Sequence, residues 1–163
     1  MRYRNITKDD MLNGEGLRTV LWVAGCSHHC PQCHNPVTWD INGGLVFDEQ
    51  AKEELFEELK KDYVSGVTFS GGDPLHLENR EEIGALAKEI REKFPEKTIW
   101  LYTGYEWEEI CHLSFLSNID VIVDGKFKIE EKDNNLHWKG SANQRVIDVK
   151  ASLRAGEVRL YQE

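Results

Sequence analysis

Apolar residues along this chain fall in short bursts whose spacing changes from segment to segment, and the changes mark out elements. Leu17-Arg18-Thr19-Val20-Leu21-Trp22-Val23-Ala24 is rich in β-branched and aromatic residues and stops at Gly25, which predicts a buried strand. From Asp48 to Lys61 the apolar positions are Ala51, Leu55, Phe56 and Leu59, one stripe at helical spacing, with Asp48 placed as N-cap. Gly66-Val67-Thr68-Phe69-Ser70 predicts a short strand cut off by Gly71-Gly72-Asp73-Pro74. Asn79 stands three residues before Glu82, the spacing of a capping box, ahead of a helix with the stripe Ile83, Leu86, Ala87, Ile90 and Phe94 that Pro95 ends. A strand over Thr98–Thr103, a short helix over Glu106–Leu113 and a strand over Ile119–Asp124 follow. The polar stretch 128–143 is expected to loop over one face, and Val146–Val149 to add a last strand.

Strands and helices alternating in this way predict an α/β fold of parallel βα units with right-handed crossovers. A closed eight-fold barrel takes about 250 residues, so 163 residues are expected to make an incomplete α/β barrel, open on one side. No linker or repeat divides the chain, and residues 1–163 read as one domain. Four unusual segments follow four different strands: the cysteine loop, Gly71-Gly72-Asp73-Pro74, Thr103-Gly104 and Asp124-Gly125-Lys126. The C-terminal edge of a parallel sheet is where such folds build sites, so one shared pocket is expected there.

Composition narrows the partners. A formal charge of −9 and a pI near 5.2 argue against nucleic acid, which is held by clustered Lys and Arg. The acidic residues in 48–58 and 78–92 read as the wet faces of the two amphipathic helices. No apolar run reaches the roughly 18 residues of a membrane span, and the first ten residues lack the apolar core of a secretory leader. A cytoplasmic protein is expected.

Three of the four cysteines lie close together in Cys26-Ser27-His28-His29-Cys30-Pro31-Gln32-Cys33. Such a loop suits a metal better than a disulfide framework. Three thiolates can hold three irons of a 4Fe-4S cubane and leave the fourth open to a ligand. The same thiolates with His28, His29 or His34 could instead form a structural zinc site. Cys111, among Trp107, Ile110 and Leu113, reads as a small buried hydrophobe. Trp22, Trp39, Trp100 and Trp138 are assigned to packing.

The Cys-x₃-Cys-x₂-Cys loop followed by Gly-Gly-Asp-Pro after the next core strand resembles the radical S-adenosylmethionine enzymes. Further stretches resemble, within them, the family of activating proteins of anaerobic ribonucleotide reductase. They are Asn13-Gly14-Glu15-Gly16-Leu17-Arg18, Ser70–His76, Tyr102-Thr103-Gly104-Tyr105, Val123–Phe127 and Gly140-Ser141-Ala142-Asn143-Gln144. The resemblance runs in order from about residue 3 to about residue 145.

That resemblance implies a 4Fe-4S cluster on Cys26, Cys30 and Cys33 and S-adenosylmethionine chelated at the open iron. It implies one-electron cleavage of the S–C5′ bond and hydrogen abstraction from a glycine of the large reductase subunit, giving a glycyl radical. A reductant such as flavodoxin is the implied electron donor. Ser70, Gly71, Gly72 and Asp73 are implied contacts for the methionine amine, and Asp124 and Lys126, with Thr103 beside them, for the methionine end or a cation close to it. Gln32, Cys33 and His34 are implied contacts for adenine, Gln32 standing where many relatives carry an aromatic residue. Asn143 and Gln144 either line the far side of the pocket or tie their loop together. Other readings are an activase of a different glycyl-radical enzyme, a small enzyme acting on a nucleobase precursor, a zinc-stabilised interaction module, and an electron carrier.

Overall fold

The computed structural model describes residues 1–30 and 39–162. Its strands are β1 (Arg2–Asp10), β2 (Arg18–Val23), β3 (Leu45–Val46), β4 (Gly66–Gly71), β5 (Thr98–Tyr102), β6 (Val121–Asp124) and β7 (Arg145–Asp148). They form one seven-stranded sheet in the order β3-β1-β2-β4-β5-β6-β7. The helices are α1 (Glu49–Leu59), α2 (Arg80–Lys93), α3 (Trp107–Ile110) and α4 (Val149–Ala155). None of the described helices is long and apolar enough to cross a membrane.

β2, β4, β5 and β6 are parallel, as the alternation of elements predicts. The flanks differ from the expectation of uniform parallel units: β1 and β3 on one side and β7 on the other are antiparallel. The connections explain this. Parallel neighbours need a crossover of about a dozen residues or more, and the β1–β2 link, 11–17, is too short for one. Between β6 and β7 the chain makes only a 3₁₀ turn at Ile129–Glu131 and lies over the sheet. The sheet is mixed and open at β3 and β7, not a ring of parallel units.

The period of two along each strand sorts side chains onto two faces. Leu21, Val23, Val67, Phe69, Ile99, Leu101 and Ile122 pack against Leu55 and Leu59 of α1 and Ile83 and Ile90 of α2 in the main core. On the other face Trp100, Val121 and Val123 form a smaller cluster, covered by Trp138 and Tyr161. Trp138 comes from stretch 128–143 and Tyr161 from the segment after α4. Trp138 meets Trp100 edge-on at 4.9 Å, and the Tyr102 hydroxyl donates to the Trp138 carbonyl at 2.6 Å.

Asp48 caps α1 by accepting from the Ala51 N–H at 2.9 Å. Asn79 does not cap α2 with its side chain: the amide donates to the carbonyls of Ala24 and Asp73 at 2.8 and 3.3 Å. Glu82 pairs with the N-terminal ammonium instead of closing a capping box. The wet-face reading of 48–58 also needs one correction, because Glu58 is buried and paired with Lys61. The predicted helix over Glu106–Leu113 shrinks to α3, and Cys111, expected to be buried, is exposed just after it. Trp107 and Ile110 take the inward positions, so the short helix turns Cys111 outward.

Candidate cluster and cofactor site

Three consecutive pieces of backbone join the cysteine loop to the end of β4. Beyond Val23, the last residue of β2, the Gly72 N–H donates to the Val23 carbonyl at 2.8 Å, and the Asp73 N–H to the Gly25 carbonyl at 2.7 Å. The Asn79 amide holds the intervening Ala24 carbonyl. Gly71 makes this approach possible. It has φ +104°, and a Cβ there would lie 2.5 Å from the Val23 carbonyl oxygen and 2.6 Å from its nitrogen. Both faults fall on backbone that cannot swing away, so Gly71→Ala is expected to lose about 2–4 kcal/mol, read as a lower urea midpoint.

Asp73 is the hub of the site. Its carboxylate is buried, and Oδ2 accepts from the Thr103 hydroxyl at 3.0 Å and the Gly104 N–H at 2.9 Å. The same oxygen lies 2.7 Å from His28 Nε2, while Oδ1 accepts from the Leu75 N–H at 2.8 Å. One side chain thus joins the cysteine loop to the ends of β4 and β5. The expected convergence at the C-terminal edge is present for these segments.

Cys26 is half-buried, Cys30 is buried, and neither is in a disulfide. Cys33 lies outside the described residues, as do Gln32 and His34. Burial pushes the Cys26 thiol up to about 11, against the pull of hydrogen bonds from the main-chain N–H groups of His28 and His29. Binding a metal there must displace a proton. The Cys26 N–H donates to the Trp39 carbonyl at 3.1 Å, and the Trp39 ring stacks on His29 at 4.5 Å. Trp39 Nε1 is buried with no hydrogen-bond partner among the described residues.

This donor set fits an iron–sulfur cluster. Two thiols share one short loop, and a buried indole donor beside the loop lacks an acceptor among the described residues. A zinc site completed by His28 or His29 fits less well. His28 is engaged by Asp73 and His29 by Trp39, and His34 lies outside the described residues.

Residues 12–147 match the family model described as a 4Fe-4S single cluster domain. The chain is 45% identical over 146 residues to the anaerobic ribonucleoside-triphosphate reductase-activating protein of Enterobacteria phage T4, covering 90% of this chain and 93% of the relative. The proteins of the same name from Haemophilus influenzae and Escherichia coli K12 are each 39% identical over 150 residues, covering 90% of this chain and 97% of the relative. The chain belongs to the anaerobic ribonucleoside-triphosphate reductase-activating protein family.

In this member of the activating-protein family the other singled-out residues take varied places. Ser70 is half-buried on β4, in register with Trp22 of β2. Thr103 is buried and spends its hydroxyl on Asp73, its oxygen also accepting from the Tyr105 N–H at 3.1 Å. Asp124 ends β6 buried, taking the Trp107 N–H at 2.9 Å and Arg145 Nη2 at 2.5 Å. Arg145 in turn reaches Glu108 at 2.8 Å, and these two acids push its pKa up. Lys126 is exposed. Of the two readings of Asn143 and Gln144, the hydrogen bonds match loop stabilisation. Gln144 takes the N–H groups of Gly140 and Ser141 and donates to the Gly125 carbonyl, and Asn143 donates to the Lys126 carbonyl. His28 was legible only as a possible zinc ligand; its place between two clustered cysteines was the available signal. Arg18 carried a signal too, a lone charge inside an apolar strand, and had no assigned role.

Proposed function

We propose that this chain is the enzyme that reductively cleaves S-adenosylmethionine and installs a glycyl radical on the large subunit of anaerobic ribonucleoside-triphosphate reductase. The observation that supports this most is the pairing of the cysteine loop with Gly71-Gly72-Asp73, main chain to main chain, in a member of the activating-protein family. A 4Fe-4S cluster on Cys26, Cys30 and Cys33 would supply the electron that breaks the S–C5′ bond, and the 5′-deoxyadenosyl radical released would take a glycine Cα hydrogen.

The protein's own part is binding and orientation. Gly71 and Gly72 carry no side chains, so a ligand ammonium can approach their main chain closely. Ser70 extends this wall. Asp73, whose oxygens already take four donors, supports the segment from behind together with Thr103. Lys126 is proposed to meet the methionine carboxylate as a point charge, with Asp124 and Arg145 anchoring the turn that carries it. The main chain from Gln32 to His34 is assigned to adenine. A flavodoxin-type reductant and a cytoplasmic location complete the reading, and the charge of −9 fits a protein partner rather than nucleic acid.

Anaerobic reconstitution with iron and sulfide should give about four irons per chain. Reduced and mixed with S-adenosylmethionine and the large reductase subunit, this protein should yield 5′-deoxyadenosine and a glycyl-radical resonance. Cleavage without that resonance would move the target to another glycyl-radical protein or a small molecule. A four-iron protein that cleaves nothing would leave an electron carrier, and stoichiometric zinc an interaction module.

A further inference from the structure

Among the described residues of the cysteine loop, His28 is the side chain that reaches across to two other strand ends. Its ring is 7% exposed and sits 2.7 Å from Asp73 Oδ2. It occupies the space a side chain at residue 104 would need: a Cβ on Gly104 would lie 2.4 Å from His28 Cδ2. Tyr105 packs edge-on to the ring at 4.7 Å, and the Arg80 guanidinium covers Tyr105 at 5.3 Å. The ring is therefore held by a carboxylate, a glycine and an aromatic edge from two segments.

The main chain at this point does something unusual. His29 has φ +47°, a left-handed conformation that a residue with a side chain keeps only when its surroundings impose it. Among the described residues the loop is held by the His28 ring on Asp73 and Gly104 and the His29 ring on Trp39.

We infer that His28 is a positioning residue: its ring, gripped by Asp73 and seated against Gly104, ties the loop from Cys26 to Cys30 to the ends of β4 and β5 and so presents its two thiols together. Asp73 acts through His28 and not as a ligand carboxylate, since three donors already share Oδ2. The consequence for function rests on the cluster reading above. With His28 released, the loop loses its tie to Asp73 and its thiols should hold iron less tightly.

The first test needs no cluster. Metal-free, reduced protein is alkylated with iodoacetamide under argon and the cysteines are followed by peptide mass spectrometry, with exposed Cys111 as internal reference. In the wild type Cys26 and Cys30 should react more slowly than Cys111. In His28→Ala and His28→Phe both should speed up on the order of tenfold relative to Cys111. His28→Gln, which keeps an N–H near the reach of Nε2, should stay close to wild type. Phe retains bulk without the hydrogen bond, so a Phe variant that behaves as wild type would overturn the proposal, as would unchanged rates in all three.

The second test measures the iron that the reconstituted protein keeps through desalting and a challenge with a chelator. His28→Ala should lose iron on the order of tenfold faster than the wild type, with Gln restoring it. Equal retention in the Ala variant overturns the consequence for the cluster. Wild-type protein that takes zinc and refuses iron would sink the cluster reading and leave the alkylation result standing, so the two failures are separable.

Discussion

Cys30→Ala is expected to lower 5′-deoxyadenosine formation more than about 100-fold, beyond what the loss of an outer-shell partner costs. Iron should fall well below the wild-type stoichiometry of about four per chain after identical reconstitution. The argument is one of donor number and burial. Three thiolates are the least that leaves a single iron open, and Cys30 is 9% exposed, so water cannot easily fill its place. Cys26→Ala should behave alike, although the half-buried Cys26 leaves more room for a substitute ligand. Cys111→Ser supplies the contrast, because an exposed thiol remote from the loop in sequence should lose neither iron nor activity. Iron analysis and quantitation of 5′-deoxyadenosine on the same samples decide the matter. A Cys30→Ala protein with full iron and full cleavage would remove this residue from the ligand set.

The parts of this fold that were legible in the sequence are those where periodicity and burial agree. β2, β4 and β5 are short apolar runs ended by glycine or a turn, and the stripes of α1 and α2 face the main core as their spacing demands. β1 escaped because its ladder to β2 is irregular between Tyr3 and Asn5 and again between Thr7 and Asp10. Only Tyr3 and Ile6 of that strand are buried, a spacing of three that resembles neither a strand nor a long helix. The antiparallel flanks were invisible for another reason: strand direction is set by the path of the connection, which composition does not reveal. Asn79 had the right neighbours for a capping box and lost its amide to a stronger claim, two buried carbonyls brought near by the fold. In the site, the motif glycines were legible because a backbone need leaves glycine behind. The His28–Asp73 pair was not, since it depends on which loop tips meet.

The largest stability effect is expected at Arg18, which lies at the opposite end of the parallel strands from the cysteine loop. Its side chain is fully buried at the start of β2, and all three guanidinium nitrogens donate. Nε meets the Thr68 hydroxyl at 2.9 Å, Nη1 the Glu15 carbonyl at 2.9 Å and the Thr98 hydroxyl at 2.8 Å, and Nη2 the carbonyls of Val67 and Thr98 at 2.8 Å each. Trp100 lies under the charge at 5.6 Å. One side chain therefore ties β2, β4, β5 and the loop ahead of β2. No carboxylate is among these partners, and burial lowers the guanidinium pKa to about 10. The unfolded chain then holds this proton more tightly than the folded one, so the cost of burying the charge is fully present below pH 10 and is relieved only as the pH rises further. At neutral pH the hydrogen bonds and packing must outweigh that cost. Arg18→Met keeps the length and removes the charge, but it leaves the main-chain carbonyls of Glu15, Val67 and Thr98 without the donors that Arg18 supplied. Each such group costs about 1–3 kcal/mol, so a loss of about 3–5 kcal/mol is expected, close to the upper end for a point mutation. Arg18→Lys should recover only part of it, because a single ammonium cannot span the planar fork of acceptors. Urea unfolding of the metal-free proteins at pH 7 measures both. The midpoints should fall in the order wild type, Lys, Met, at unchanged slope. A Met variant as stable as the wild type would mean that relief of the buried charge offsets every bond Arg18 makes.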